Sequence, residues 1–334
     1  MTRRDGPAAR RALAACGLWW LCASFAFGGE PAAEHERGPR SAAELIADGD
    51  EALAAGQAGE AARLYELAIT SAPEDADARV RLARALAALD RRSEARARLE
   101  EALDLDPLHG AANSLKAAFF EGKGEETLAI GHYRAAVNAD AGDLVSRGRL
   151  AVLLMRQESY AEAEAHFATI VKAQEASADA HYYLSLAAVA QGDCPKAMSA
   201  IGTASRLSPQ DPRVLQTLSR VYATCPVATE EQQRESLAVA RLLYDRYPGR
   251  HTAATLAMAM AAAGRYADAV EMQTQAIYEA IQAGDEWAQH AYYNDLQRYQ
   301  SEQRATQAWS KGAAIFTPPL IDVPPGSQFA AGDQ

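Results

Sequence analysis

Three prolines set the period of this chain. Pro73 and Pro107 lie 34 residues apart, and Pro209 stands three further periods on. A 34-residue frame that places these prolines at position 32 starts at Ala42, Ala76, Gly110, Leu144 and Ala178. Position 8 then holds Gly49, Ala83, Ala117, Ala151 and Ser185, all small. Position 20 holds Ala61, Ala95, Ala129, Ala163 and Ala197, and position 27 holds Ala68, Ala102, Ala136, Ile170 and Ala204. Position 24 is large and apolar throughout: Tyr65, Leu99, Tyr133, Phe167 and Ile201. Ala is common here, so one match means little, but four columns agree over five periods. A fixed period of this length implies stacked units, each burying its apolar face on the next. The wealth of Ala and Leu, with aromatics at 7%, favours closely packed helices over sheet.

These columns resemble the tetratricopeptide repeat (TPR) family, whose pattern is small at 8 and 20, large at 24, Ala at 27 and Pro at 32. The resemblance implies an all-α fold, a right-handed superhelical solenoid of antiparallel helix pairs. Small residues let the paired helices approach, and Pro stops the second helix because it cannot donate a backbone hydrogen bond. Gly56, Gly124 and Gly192 stand where the first helix ends, a place for a left-handed cap. Gly264 at position 15 sets a seventh repeat near Arg250, with Ala257, Ala269 and Ala276 in the small columns. Between them a sixth repeat is irregular. Its first helix carries Leu215, Leu218, Ser219 and Tyr222. Its turn, TCPVATEEQQRES, is long, and its second helix is expected to resume near Glu235 with Ala238 and Leu242 facing inward and Asp245 at position 27. The array of about seven repeats is assigned to 42–284. A capping helix over 285–312, with Trp287, Tyr292, Leu296, Tyr299 and Trp309, is expected to cover the last apolar face.

The ends differ in character. Arg3, Arg4, Arg10 and Arg11 precede the uncharged apolar run from Ala12 to Gly28, with small residues at its close. This is the pattern of a secretory signal peptide over 1–28. The expected location is therefore periplasmic or secreted. The alternatives are an uncleaved anchor in the inner membrane and a lipoprotein built on Cys16. Residues 29–41 read as a linker, and 313–334, with TPPLIDVPPGSQ, as a Pro-rich disordered tail.

The formal charge of −11 and the lack of a dense basic patch argue against nucleic acid and anionic membrane surfaces as partners. No Gly-rich phosphate loop, GxSxG, HExxH or CxxCH occurs. The histidines, at 35, 109, 132, 166, 181, 251 and 290, show no metal-ligand spacing. No cofactor, metal or catalytic residue is therefore expected.

The family resemblance implies an inner groove lined by positions 2, 5, 9 and 12 of each first helix. In repeat four these are Val145, Gly148, Val152 and Met155, and in repeat five Asp179, Tyr182, Leu186 and Val189. Repeat six supplies Arg213, Gln216, Arg220 and Ala223. The expected partner-binding set is Val145, Val152, Met155, Tyr182, Leu186 and Val189 as an exposed apolar strip. Arg213 and Arg220 would hold a carboxylate of the partner. Alternatives are that loops or the tail cover this strip, or that it mediates self-association. The Lys and Asn of chaperone-binding TPRs are replaced here by Ile46 and Asp50 in the first repeat, so that specificity is not expected. In stacked repeats Cys194 and Cys225 become neighbours, which suggests a disulfide in an exported chain. Two separately buried thiols are the alternative. The functional expectation is a non-enzymatic extracytoplasmic scaffold that binds a protein or peptide and supports assembly of an envelope complex. An accessory subunit of a periplasmic enzyme complex is the alternative.

Overall fold

The computed structural model describes residues 40–317. The signal pattern, nearly all of the expected linker, and the tail from residue 318 lie outside the described residues. Among the described residues there are fifteen α-helices and no strand. They pair in sequence: α1 (Ala42–Ala54) with α2 (Ala58–Ser71), α3 (Ala76–Ala88) with α4 (Arg92–Leu105), and α5 (Gly110–Gly122) with α6 (Glu126–Ala139). Then follow α7 (Leu144–Arg156) with α8 (Tyr160–Ala173), α9 (Ala178–Gln191) with α10 (Cys194–Leu207), and α11 (Pro212–Thr224) with α12 (Glu230–Arg246). The last pair is α13 (Arg250–Ala262) with α14 (Tyr266–Gln282), closed by α15 (Glu286–Gln300). Each helix packs on its chain neighbours, so the array is a helical solenoid.

The local causes repeat with the same period. Position 34 places a capping side chain before each first helix: Ser41, Asp75, His109, Asp143, Ser177 and Asp211. Each accepts a hydrogen bond from an amide of the first turn. Such a cap is worth about 1 kcal/mol. At position 15 the backbone turns left-handed. Glycine supplies this at Gly56, Gly124, Gly192 and Gly264, with φ from 74° to 76°. Asp90 and Glu158 take the same place with φ of 58° and 57°. All four columns read from the sequence are buried in all five regular repeats.

Repeat six departs from expectation in phase. Thr229 and Gln232 form a reciprocal capping box, so α12 starts at Glu230 rather than near Glu235. Its inward residues are Ser236, Ala240 and Leu243, while Ala238, Leu242 and Asp245 face solvent. The physical reason is a buried cross-helix pair. Ser219 Oγ donates to the Ser236 carbonyl at 3.0 Å, and Ser236 Oγ donates to the Ser219 carbonyl at 2.8 Å. Ser236, not Ala238, is thus the small residue at the crossing.

The C-terminal part also differs. The last helix ends at Gln300, where Glu302 adopts a left-handed φ of 54°, instead of running to 312. Residues 301–317 form a non-helical strap, apart from a single 3-10 turn at Ala314–Phe316. Trp309 therefore belongs to the strap and not to the capping helix. Residues 313–317, expected to begin a disordered tail, are docked, with Ala313 and Phe316 buried.

Candidate partner-binding groove

The residues expected to line the groove divide into three groups. Val145 and Val152 on α7 and Val189 on α9 are half-buried. Met155, Tyr182 and Leu186 are buried, so the apolar strip is not open. Stacking of α7, α9 and α11 consumes these side chains in one cluster with Leu150, Leu218 and Val221. Burial pushes the Tyr182 hydroxyl above its ordinary range, with the neighbouring Tyr183 adding to the shift.

The two arginines part company. Arg213 is exposed and already engaged: its Nη2 donates to Asp211 at 2.7 Å and to Asp179 at 3.1 Å. Its guanidinium also lies 5.3 Å from the Tyr182 ring centre. The hydrogen bond it donates to Asp211 raises its pKa. Arg220 is only 6% exposed. Its Nε donates to the Ala308 carbonyl of the strap at 2.6 Å, and its Nη1 donates to Thr255 Oγ1 on α13 at 3.2 Å. The Trp309 ring covers it at 4.9 Å. Desolvation lowers its pKa, opposed chiefly by Asp295. Arg220 therefore holds the strap and is not presented to an incoming carboxylate.

The strap crosses the ends of the first helices of repeats five and six. Phe316 meets Tyr160, at the start of α8, at 5.9 Å, and Trp309 at 6.2 Å, both edge-on. Two clefts flank it. One, of about 520 Å³, lies between the strap, Tyr160, Val189, Val221 and the Cys194–Cys225 pair. The other, of about 570 Å³, lies between the strap and α15, with Arg220, His251, Trp287 and Asp295 in its wall. Burial raises the Asp295 carboxyl above the ordinary aspartate range, against the pull of Arg220 and Arg298. Burial lowers His251, whose Nδ1 lies 2.9 Å from the Tyr292 hydroxyl.

Cys194 and Cys225 form a disulfide, with Cα atoms 5.6 Å apart. It joins the first residue of α10 to the C-cap of α11, so it staples repeat five to repeat six below the strap. Among the described residues no group of three or more His, Cys, Asp or Glu gathers at metal-binding distance. No described helix is long and apolar enough to cross a membrane. Sequence reasoning missed Ala305, Ala308, Trp309 and Phe316 as groove occupants. Their apolar character was visible, but they follow no period.

Two segments, residues 52–119 and 149–212, match tetratricopeptide-repeat profiles. No curated protein matches in sequence. Among solved structures, Pseudomonas aeruginosa PilF is similar at 16% identity, covering 62% of this chain and 92% of PilF, with a TM-score of 0.50. A tetratricopeptide repeat protein from Parabacteroides merdae shares 14% identity, covering 78% of this chain and all of that one, with a TM-score of 0.45. Such distant likeness speaks to the fold alone. With its two matched segments, buried column residues and stacked helix pairs, this chain carries tetratricopeptide repeats within an all-α helical solenoid.

Proposed function

We propose that the chain is a non-enzymatic extracytoplasmic scaffold that binds an extended segment of another protein along the first helices of repeats four to six, supporting assembly of an envelope complex. The observation that carries this reading is the strap. The ends of the first helices of repeats five and six already accommodate a non-helical stretch of polypeptide, held by side chains and one arginine. Repeat arrays bind extended segments because their first helices offer a continuous surface of fixed spacing. Export is supported by the N-terminal pattern of basic residues and apolar run. It is also supported by the Cys194–Cys225 disulfide, a bond that persists in oxidising compartments.

Affinity capture from envelope fractions tests the reading. Val189→Asp places a charge in the cleft wall beside the strap, and Arg213→Glu reverses the exposed charge of repeat six. Both are expected to reduce capture of a stoichiometric partner at least tenfold. Unchanged capture by both variants would move the site elsewhere. Recovery of the unprocessed chain only from the cytoplasm would refute export.

A further inference from the structure

The strap is bound in an unusual way for a core element. Among the described residues, no backbone–backbone hydrogen bond joins 304–317 to the helices. The backbone bonds of its last part are local, such as Phe316 N–H to the Ala313 carbonyl. What attaches it is one buried arginine on the Ala308 carbonyl, and a few side chains: Ala305, Ala308, Trp309, Ala313 and Phe316. Two solvent-open clefts of about 520 and 570 Å³ flank the strap, so neither of its edges is packed along its length against a helix. A segment with few backbone bonds and loose flanks opens at lower free energy than the helices beneath it.

We propose that residues 303–317 are a displaceable occupant of the partner groove, and that the partner's segment has the same chemistry. This rests on the reading of that surface as the partner site. The strap specifies what the groove takes. The ligand is an extended segment with a small residue whose carbonyl meets Arg220, an aromatic beside it on the guanidinium face, and a second aromatic seven positions on. In the strap these are Ala308, Trp309 and Phe316. Thr255 holds Nη1 of the guanidinium, and what the strap adds is one neutral carbonyl at Nε and an aromatic ring over the face. Selection is thus for aromatic residues and not for an acidic terminus.

The test uses the full chain with a protease recognition sequence inserted at the exposed Glu302–Gln303 turn. The probe is a fluorescein-labelled synthetic peptide of residues 303–317. The uncut chain holds its strap at an effective concentration of about 1 mM, as short tethers do. The cut chain is therefore expected to bind the peptide ~10- to 100-fold more tightly than the uncut chain. The Trp309→Ala/Phe316→Ala peptide is expected to bind at least tenfold more weakly than the parent. A terminal-carboxylate peptide without aromatics is expected not to compete. Amide exchange on the uncut chain supplies a second reading: residues 304–312 are expected to exchange at least a hundredfold faster than α9 and α11.

Strap amides protected like the helices, or unfolding of the chain on cutting, would overturn the proposal and make the strap a permanent core element. Dimers formed by exchange of straps between intact copies would also overturn it, in favour of a second copy as occupant. These outcomes leave the scaffold reading standing, since that is judged by the capture of a stoichiometric partner. Loss of capture dependence on Val189 and Arg213, with normal peptide exchange, would sink the scaffold reading alone.

Discussion

Removing the Cys194–Cys225 bond is expected to destabilise one part of the array and leave the rest alone. The two cysteines are 31 residues apart in sequence. Closing a loop of that length removes chain entropy from the unfolded state worth about 3.7 kcal/mol at 25 °C. The 5.6 Å Cα separation lies within the ordinary range for such a bond, so the entropy term is expected to survive largely intact. Repeats are coupled to their neighbours, so the loss should be felt in α10 and α11 and fade toward α1. Both cysteines also line the cleft beneath the strap, which should loosen with them. The perturbation is Cys194→Ala/Cys225→Ala, compared with reduced and oxidised parent protein. Denaturant melts give the global change, and amide exchange gives its location. A fall of about 3 kcal/mol confined to repeats five and six supports the argument. Coincident melts for the oxidised and reduced parent would refute it, as would alkylation of both thiols without reductant.

Other outcomes follow from single contacts. Glu121, buried at the end of α5, accepts from the Tyr133 hydroxyl and from Arg149 Nη1, both at 2.7 Å. Glu121→Ala is expected to cost about 3 kcal/mol in a denaturant melt, and Tyr133→Phe about 1 kcal/mol. A negligible loss in Glu121→Ala would show that this junction of repeats three and four relaxes freely. Asp90→Gly and Glu158→Gly remove non-glycine residues from left-handed backbone and should each raise stability by about 0.5–1 kcal/mol. A drop in melting temperature would contradict this. Burial lowers His132, His166 and His251 below the free imidazole value. Between the lowered folded pKa and the unfolded value near 6.5, the unfolded chain binds more protons, so these groups lose stability as pH falls. The raised carboxyl of Asp295 acts in the opposite sense, because it takes its proton while folded. The parent should therefore lose more stability between pH 7.5 and 5.5 than the His132→Gln/His166→Gln/His251→Gln variant; the Asp295 contribution is common to both and cancels in the comparison. Equal losses would refute the assignment.

Much of the array was legible because its causes are local and periodic. Position 8 must be small where position 24 is large: a Cβ on Gly49 would come within 2.5 Å of the Tyr65 ring. The same steric rule recurs every 34 residues, so a frame exposes it. The Cys194–Cys225 pair was legible for a related reason, since stacking brings the start of one second helix to the end of the next first helix. The phase of α12 was less so. Ala238 and Leu242 are as apolar as Ala240 and Leu243, and the choice was made by the Thr229 capping box and the Ser219–Ser236 pair. The capping column at position 34 was present in the sequence but mixed in residue type, Ser, Asp and His, and so gave no obvious repeat.

The groove marks the division. Sequence alone determined where each helix pair of the first five repeats begins, which residues cross closely, and that Arg220 lies on the first helix of repeat six. It did not determine that Arg220 is covered. That depends on a strap whose Ala308 lies 88 residues further along the chain. No helical period links residues so far apart, and Ala305, Trp309 and Phe316 make no regular pattern of their own. Their return to the groove follows only from the apolar surface that the finished stack leaves at the ends of α9 and α11. The tertiary structure thus decided whether the surface expected to bind is open or occupied.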